Sequence, residues 1–289
     1  MYNRTFIVAT VASLSMTTMS LADWGTELTA TGGANDDYFG NSVAIDGDTC
    51  VIGTSGTNSA TGSAYVFTKS GGSWSQVAEL TPTDGEGSIL FGYTVAIDGD
   101  TCVIGASGTN SYTGSAYVFT KSGGSWSQVA ELTPTDGEGS ILFGNSVAID
   151  GDTCVIGALG TNSYAGSAYV FTNTSGSWSQ VAELTATGGA SYDYFSWSVA
   201  IDGDTCVIGA GGANSTTGSA YVFTKSDGTW SQAAELTATG GASNDYFGYS
   251  VAIDGDTCVI GAAGTNSYTG SAYVFTNTGG SWSQAAELT

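Results

Sequence analysis

The sequence predicts an all-β fold, a β-propeller of five four-stranded blades of 52 residues each, and three observations predict it. The phrase Ser-Val-Ala-Ile-Asp-Gly-Asp-Thr-Cys-Val-Ile-Gly begins at Ser42 and returns around Cys102 (with Thr94 for the serine), Cys154, Cys206 and Cys258, each step 52 residues. The same period governs Gly-Ser-Ala-Tyr-Val-Phe, which ends at Phe67, Phe119, Phe171, Phe223 and Phe275, and the tryptophans Trp74, Trp126, Trp178, Trp230 and Trp282. Self-similarity at a fixed period marks a repeat architecture. The heavy load of Gly, Ser and Thr, with no long apolar stripe at a 3.6-residue period, argues against helix.

Within the first unit, Ser42 to Asp46 and Thr49 to Gly53 are β-branched runs joined at Asp46-Gly47, a dipeptide that accepts the positive φ of a tight hairpin. A Gly/Ser/Asn-rich loop, Thr54 to Gly62, leads to a third strand, Ser63 to Phe67. The turn Ser70-Gly71-Gly72-Ser73 leads to a fourth, Trp74 to Leu80, which completes one blade. The units run 27–78, 79–130, 131–182, 183–234 and 235–286, inside a working region of 23–289.

A β-solenoid is the architectural rival, but its coils run nearer about 20 to 30 residues and lack hairpin turns. Thr26 to Gly33 duplicates the end of a fourth strand and the loop after it, while Trp282 to Thr289 gives the last unit its own outer strand. No unpaired strand therefore waits to be zipped by the other terminus. Five blades either close, as propellers of about four to eight blades do, or leave two sheet faces that favour self-association.

Phe39-Gly40 is followed by Ile52-Gly53, Phe91-Gly92 by Gly105-Ala106, Phe143-Gly144 by Gly157-Ala158 and Phe247-Gly248 by Gly261-Ala262. This recurring order resembles the FG-GAP repeat of integrin-α-like propellers, over essentially all of residues 27 to 289. Two departures stand out: the proline of Gly-Ala-Pro is replaced in every unit, as by Ser107, Leu159, Gly211 and Ala263, and the fourth unit has Phe195-Ser196. The resemblance implies a calcium loop between the first two strands of some blades. Here that link has shrunk to Asp46-Gly47-Asp48 and its copies at Asp98, Asp150, Asp202 and Asp254, too few oxygens for the about six to eight that calcium takes. No cofactor or metal is expected.

Residues 1–22 read as an export signal: Arg4, the apolar stretch Phe6 to Leu14, and Ser20-Leu21-Ala22 as a small-x-small cleavage site before Asp23. The apolar stretch is shorter than the about 20 residues that span a bilayer, so the expectation is a secreted or cell-surface protein without membrane insertion. Arg4 is the only arginine, which leaves Lys69, Lys121 and Lys225 against 26 acidic residues. Such a surface repels phosphate backbones and excludes nucleic acid as a partner.

Histidine is absent, which removes the commonest general base and the usual zinc and triad partner. Paired carboxylates remain: Asp36 with Asp37, Asp84 with Glu86, and Asp136 with Glu138, all in loops that enter a blade. They read as solvated loop tips first, and as a weak cation or ligand site second; a glycosidase would need such a pair about 5 to 9.5 Å apart. Cys50, Cys102, Cys154, Cys206 and Cys258 fall at one equivalent position per blade, too far apart across sheets about 10 Å distant to form disulfides. Five free thiols are expected, with Cys50 sharing a buried face with Val43, Ile45 and Ile52. Tyr65, Phe67 and Trp74 with their copies either fill the wedge between sheets or form a sugar-stacking surface. Two acceptor sequons, Asn173-Thr174-Ser175 and Asn214-Ser215-Thr216, lie in loops.

The expected function is a non-catalytic extracellular recognition or adhesion module for a protein or glycan. A self-associating coat or filament protein is the alternative, and a carbohydrate-active enzyme the third reading.

Overall fold

A computed structural model describes residues 27–289 apart from 85, 86 and 138. The expected signal at 1–22 lies outside the described residues. Blade 1 comprises β1 (Val43–Asp46), β2 (Thr49–Thr54), β3 (Ser63–Ser70) and β4 (Ser73–Leu80). Blade 2 comprises β5 (Thr94–Asp98), β6 (Thr101–Ala106), β7 (Ser115–Ser122) and β8 (Ser125–Leu132). Blade 3 comprises β9 (Phe143–Asp150), β10 (Thr153–Ala158), β11 (Ser167–Thr174) and β12 (Ser177–Leu184). Blade 4 comprises β13 (Phe195–Asp202), β14 (Thr205–Ala210), β15 (Ser219–Ser226) and β16 (Thr229–Leu236). Blade 5 comprises β17 (Phe247–Asp254), β18 (Thr257–Ala262), β19 (Ser271–Thr278) and β20 (Ser281–Leu288).

Each blade is an antiparallel meander with strands in sequence order. The Asp-Gly turn sets the first register: Ile45 pairs with Cys50 and Val43 with Ile52, so all four share one face, as alternation requires. A bulge between Val66 and Phe67 on β3 against β4, repeated in every blade, bends the outer pair. The architecture is a five-bladed β-propeller, and the first strands of successive blades lie against one another, β1 on β5, β5 on β9, β9 on β13 and β13 on β17.

Two details differ from the expectation. The third and fourth strands are longer, because the turn narrows to two glycines at Gly71-Gly72. The Gly/Ser/Asn-rich loop also holds a short helical turn in each blade: Thr57–Ala60, Thr109–Tyr112, Thr161–Tyr164, Ala213–Thr216 and Thr265–Tyr268. Its inner residues are left-handed, as at Asn110 (φ 49°, ψ 48°) and Ser111 (φ 58°, ψ 45°). Asn visits this region more readily than most residues, but Ser111 and Tyr112 take it here too, and nothing in composition flags it.

One interface repeats along the chain. Val51, Ala64, Val66 and Leu80 of blade 1 pack on Phe91, Val95, Cys102, Ile104, Tyr117 and Phe119 of blade 2. Equivalent clusters join blades 2 and 3, 3 and 4, and 4 and 5. Phe91 is the wedge: it meets Tyr117 and Phe119 edge-on, with ring centroids 5.5 and 5.9 Å apart. Gly62 of the preceding blade lies flat against the Phe91 backbone, at φ +89°, where an added Cβ would fall 1.9 Å from the Phe91 carbonyl oxygen. The Phe-Gly and Gly-Ser-Ala motifs are thus two sides of one contact.

The five cysteines are buried and unpaired. Burial pushes their thiols up, to about 12 at Cys206 and about 11 at Cys258. The sequence's aromatic set divides by position: Tyr65 and Phe67 are buried in the blade core, whereas Trp74 lies partly covered beside them.

Candidate functional site

The described carboxylates of the acidic loops have separate surroundings. Asp37 accepts a hydrogen bond from the Ala34 backbone N–H at 2.6 Å and so caps its own turn, while Asp36 stays exposed in the left-handed region. Both border a cleft of about 370 Å³ with Tyr38 and Phe39. Asp84 instead lies beside Glu131 and Tyr117 of blade 2. Asp136 is likewise placed in blade 3, where it lines a cleft of about 440 Å³ with Tyr169 and Glu183. Glu86 and Glu138 lie outside the described residues.

These groups form one network per blade. The Ser115 hydroxyl donates to Glu131 at 2.7 Å, Ser167 to Glu183 at 2.8 Å and Ser219 to Glu235 at 2.8 Å. The Tyr65, Tyr221 and Tyr273 hydroxyls donate to the equivalent glutamates at 3.2, 3.3 and 3.2 Å. Burial first, and the neighbouring carboxylates second, push these phenols up, Tyr221 to about 12, so they serve as hydrogen-bond donors rather than bases. Burial also raises the Glu131 carboxyl, and Asp84 beside it adds to the effect against the Ser115 hydrogen bond. The Ser–Glu hydrogen bond recurs in all five blades and ties the third strand to the fourth. No group of three or more His, Cys, Asp or Glu side chains is placed to hold a metal ion among the described residues.

The acidic hairpin tips also have a structural task. Asp46 accepts a hydrogen bond from the Gly99 backbone N–H of the next turn at 2.8 Å, Asp98 from Gly151 at 2.7 Å, Asp150 from Gly203 at 2.7 Å and Asp202 from Gly255 at 2.5 Å. A carboxylate on a backbone N–H is a charge-assisted bond, and here it passes from blade to blade.

The most distinctive concavity lies elsewhere, where the chain leaves each Phe-Gly step and enters a first strand. The residue after that step is Asn41, Tyr93, Asn145, Trp197 or Tyr249 in the five units, one variable place in a copied phrase. Tyr93, Asn145, Trp197 and Tyr249, with Tyr194 and Tyr246, line a cavity of about 630 Å³. The Trp197 ring lies 5.5 Å from Tyr194, perpendicular to it, and 5.4 Å from Tyr249 at 43°. Tyr93 and Tyr249 remain 41% and 48% exposed at its mouth, while Trp197 is half-buried.

Hydrogen bonds fix the floor of this cavity. The buried Asn145 amide donates to the Ser196 carbonyl at 3.0 Å and accepts from the Leu159 N–H at 3.0 Å. Ser196, which replaces the usual glycine at φ 72°, accepts the Ala158 N–H on its hydroxyl at 3.0 Å and the Ser146 hydroxyl on its carbonyl at 2.8 Å. The departure from Phe-Gly in the fourth unit thus supplies a polar clamp beside Trp197. Sequence reasoning missed these aromatics because it followed what is copied; variation at one position among conserved copies within the chain was the available signal.

No curated protein matches the chain. The FG-GAP repeat family profile matches residues 25–67, 74–119, 126–171, 178–223 and 230–275, each match running through the Phe-Gly step (Phe195-Ser196 in the fourth) into the third strand of one blade. With five such matches across most of its length, the chain belongs to the FG-GAP repeat family.

Proposed function

We propose that this protein is a secreted, non-catalytic recognition module that binds a neutral glycan at the aromatic cavity formed by Tyr93, Trp197 and Tyr249. The observation that carries this reading is the cluster of half-exposed aromatic rings around a cavity whose Asn145 is fixed by hydrogen bonds to Ser196 and Leu159. Sugar rings present apolar C–H faces that stack on Trp and Tyr, and a few placed polar groups set their orientation. The cavity lining carries no charged side chain, which suits an uncharged ligand better than an ionic one. The strongly acidic surface disfavours anionic polysaccharides. The reading calls for no metal or cofactor.

The test is a calorimetric and tryptophan-fluorescence titration of the protein with a panel of neutral and anionic oligosaccharides. Saturable binding of a neutral member, lost in Trp197→Ala and kept in Trp282→Ala on the outer strand of blade 5, is the expected result. Binding that survives Trp197→Ala, or a panel with no neutral binder, overturns the assignment.

A further inference from the structure

The four interblade contacts use two unlike faces. One is built from residues such as Val51, Val66 and Leu80, the other from residues such as Phe91, Val95 and Ile104. At the chain's two ends each face lacks its complement among the described residues. Val43 of blade 1 is 67% exposed where its copy Val95 is 6%, and Leu288 of blade 5 is 54% exposed where its copy Leu184 is 3%. Val259, the copy of Val51, is likewise uncovered. The polar relay is cut at the same places: Asp254 has no Gly N–H from a following turn, and the Gly47 N–H has no aspartate from a preceding one, among the described hydrogen bonds.

We infer that the blade 5 face of one copy docks on the blade 1 face of another, head to tail, reproducing the interblade interface between molecules. The occupant is a second copy of this chain because both halves of a contact made four times within it are present and unfilled. Val259 and Leu288 cover Val43 and Ile45, and Asp254 accepts the Gly47 N–H, continuing the relay from Asp46 to Asp202. Leu28 sits on blade 1 where Leu80 sits on blade 2, so an incoming Leu288 displaces one side chain and leaves Phe39 as the wedge. An interface that pairs unlike surfaces does not cap itself, so copies add until a ring closes or a filament grows.

The experiment is light scattering on a sizing column over a concentration series, for the wild type and two surface variants. The wild-type mass is expected to rise with concentration beyond a dimer. Val43→Asp/Ile45→Asp blocks one face and Val259→Asp the other, so each alone stays monomeric, while an equimolar mixture gives a dimer and nothing larger. Circular dichroism of each variant confirms folding. A wild type that stays monomeric throughout, whether ring closure or its own first residues cover the faces, overturns the inference. So does a mixture that fails to pair although both variants are folded. Glycan binding by Val259→Asp separates this result from the recognition reading, since Val259 does not line the aromatic cavity.

Discussion

Phe143 and Phe39 begin the same motif in different blades, yet Phe143 is fully buried while Phe39 is only partly so. Among the described residues, blades 2 to 4 are flanked on both sides, and blades 1 and 5 on one. Near-identical sequence therefore yields unequal burial, and stability along this molecule is set by neighbours as much as by composition. In repeat folds each unit contributes its own term and one for each interface, so the end units hold less. Local opening is expected to start there.

The largest break in this comparison comes from deleting the wedge. Phe143→Ala leaves a cavity between blades 2 and 3 and is expected to cost about 3 to 5 kcal/mol, whereas Phe39→Ala is expected to cost less than half as much. Chemical denaturation of the two variants checks this, and equal losses would show that the ends are as tightly packed as the middle. A smaller effect of opposite sign is expected at Thr54. Its hydroxyl is buried without a hydrogen-bond partner, and the other four blades carry alanine at that place. Thr54→Ala is expected to stabilise by about 1 kcal/mol, read as a raised denaturation midpoint.

The smallest effect separates the inner network from its surroundings through pH. Because the fold raises the Glu131 carboxyl, it favours the protonated form; that contribution is fully present below the ordinary carboxylate range and is lost as pH rises through the raised value. Glu131→Gln imitates the protonated form at every pH. The melting temperature of wild type minus variant should fall as pH climbs from about 3.5 to about 7, and a flat difference would refute the burial of this group.

The blades were legible because hairpin turns and β-branched runs are local, and because five copies multiply a weak signal. Ile45 facing Cys50 follows from the Asp-Gly turn alone. The surroundings of Asp84 were not legible: only the folded loop brings it beside Glu131, far along the chain. The aromatic cavity escaped for a related reason. Tyr93, Trp197 and Tyr249 lie 52 residues or a multiple of it apart, and only the docking of first strands side by side brings them to one mouth. The left-handed turns around Asn110 depend on the path between two strands and leave no mark in residue type beyond Asn, Ser and Gly.

The relay from Asp46 to Gly99 and onward to Asp202 and Gly255 has the same donor and acceptor at every step. A gene that gained or lost one whole unit by recombination would therefore join two surfaces that already fit, and the product would need no compensating change. Copy number is thus a dial that inheritance can turn in steps of one whole unit.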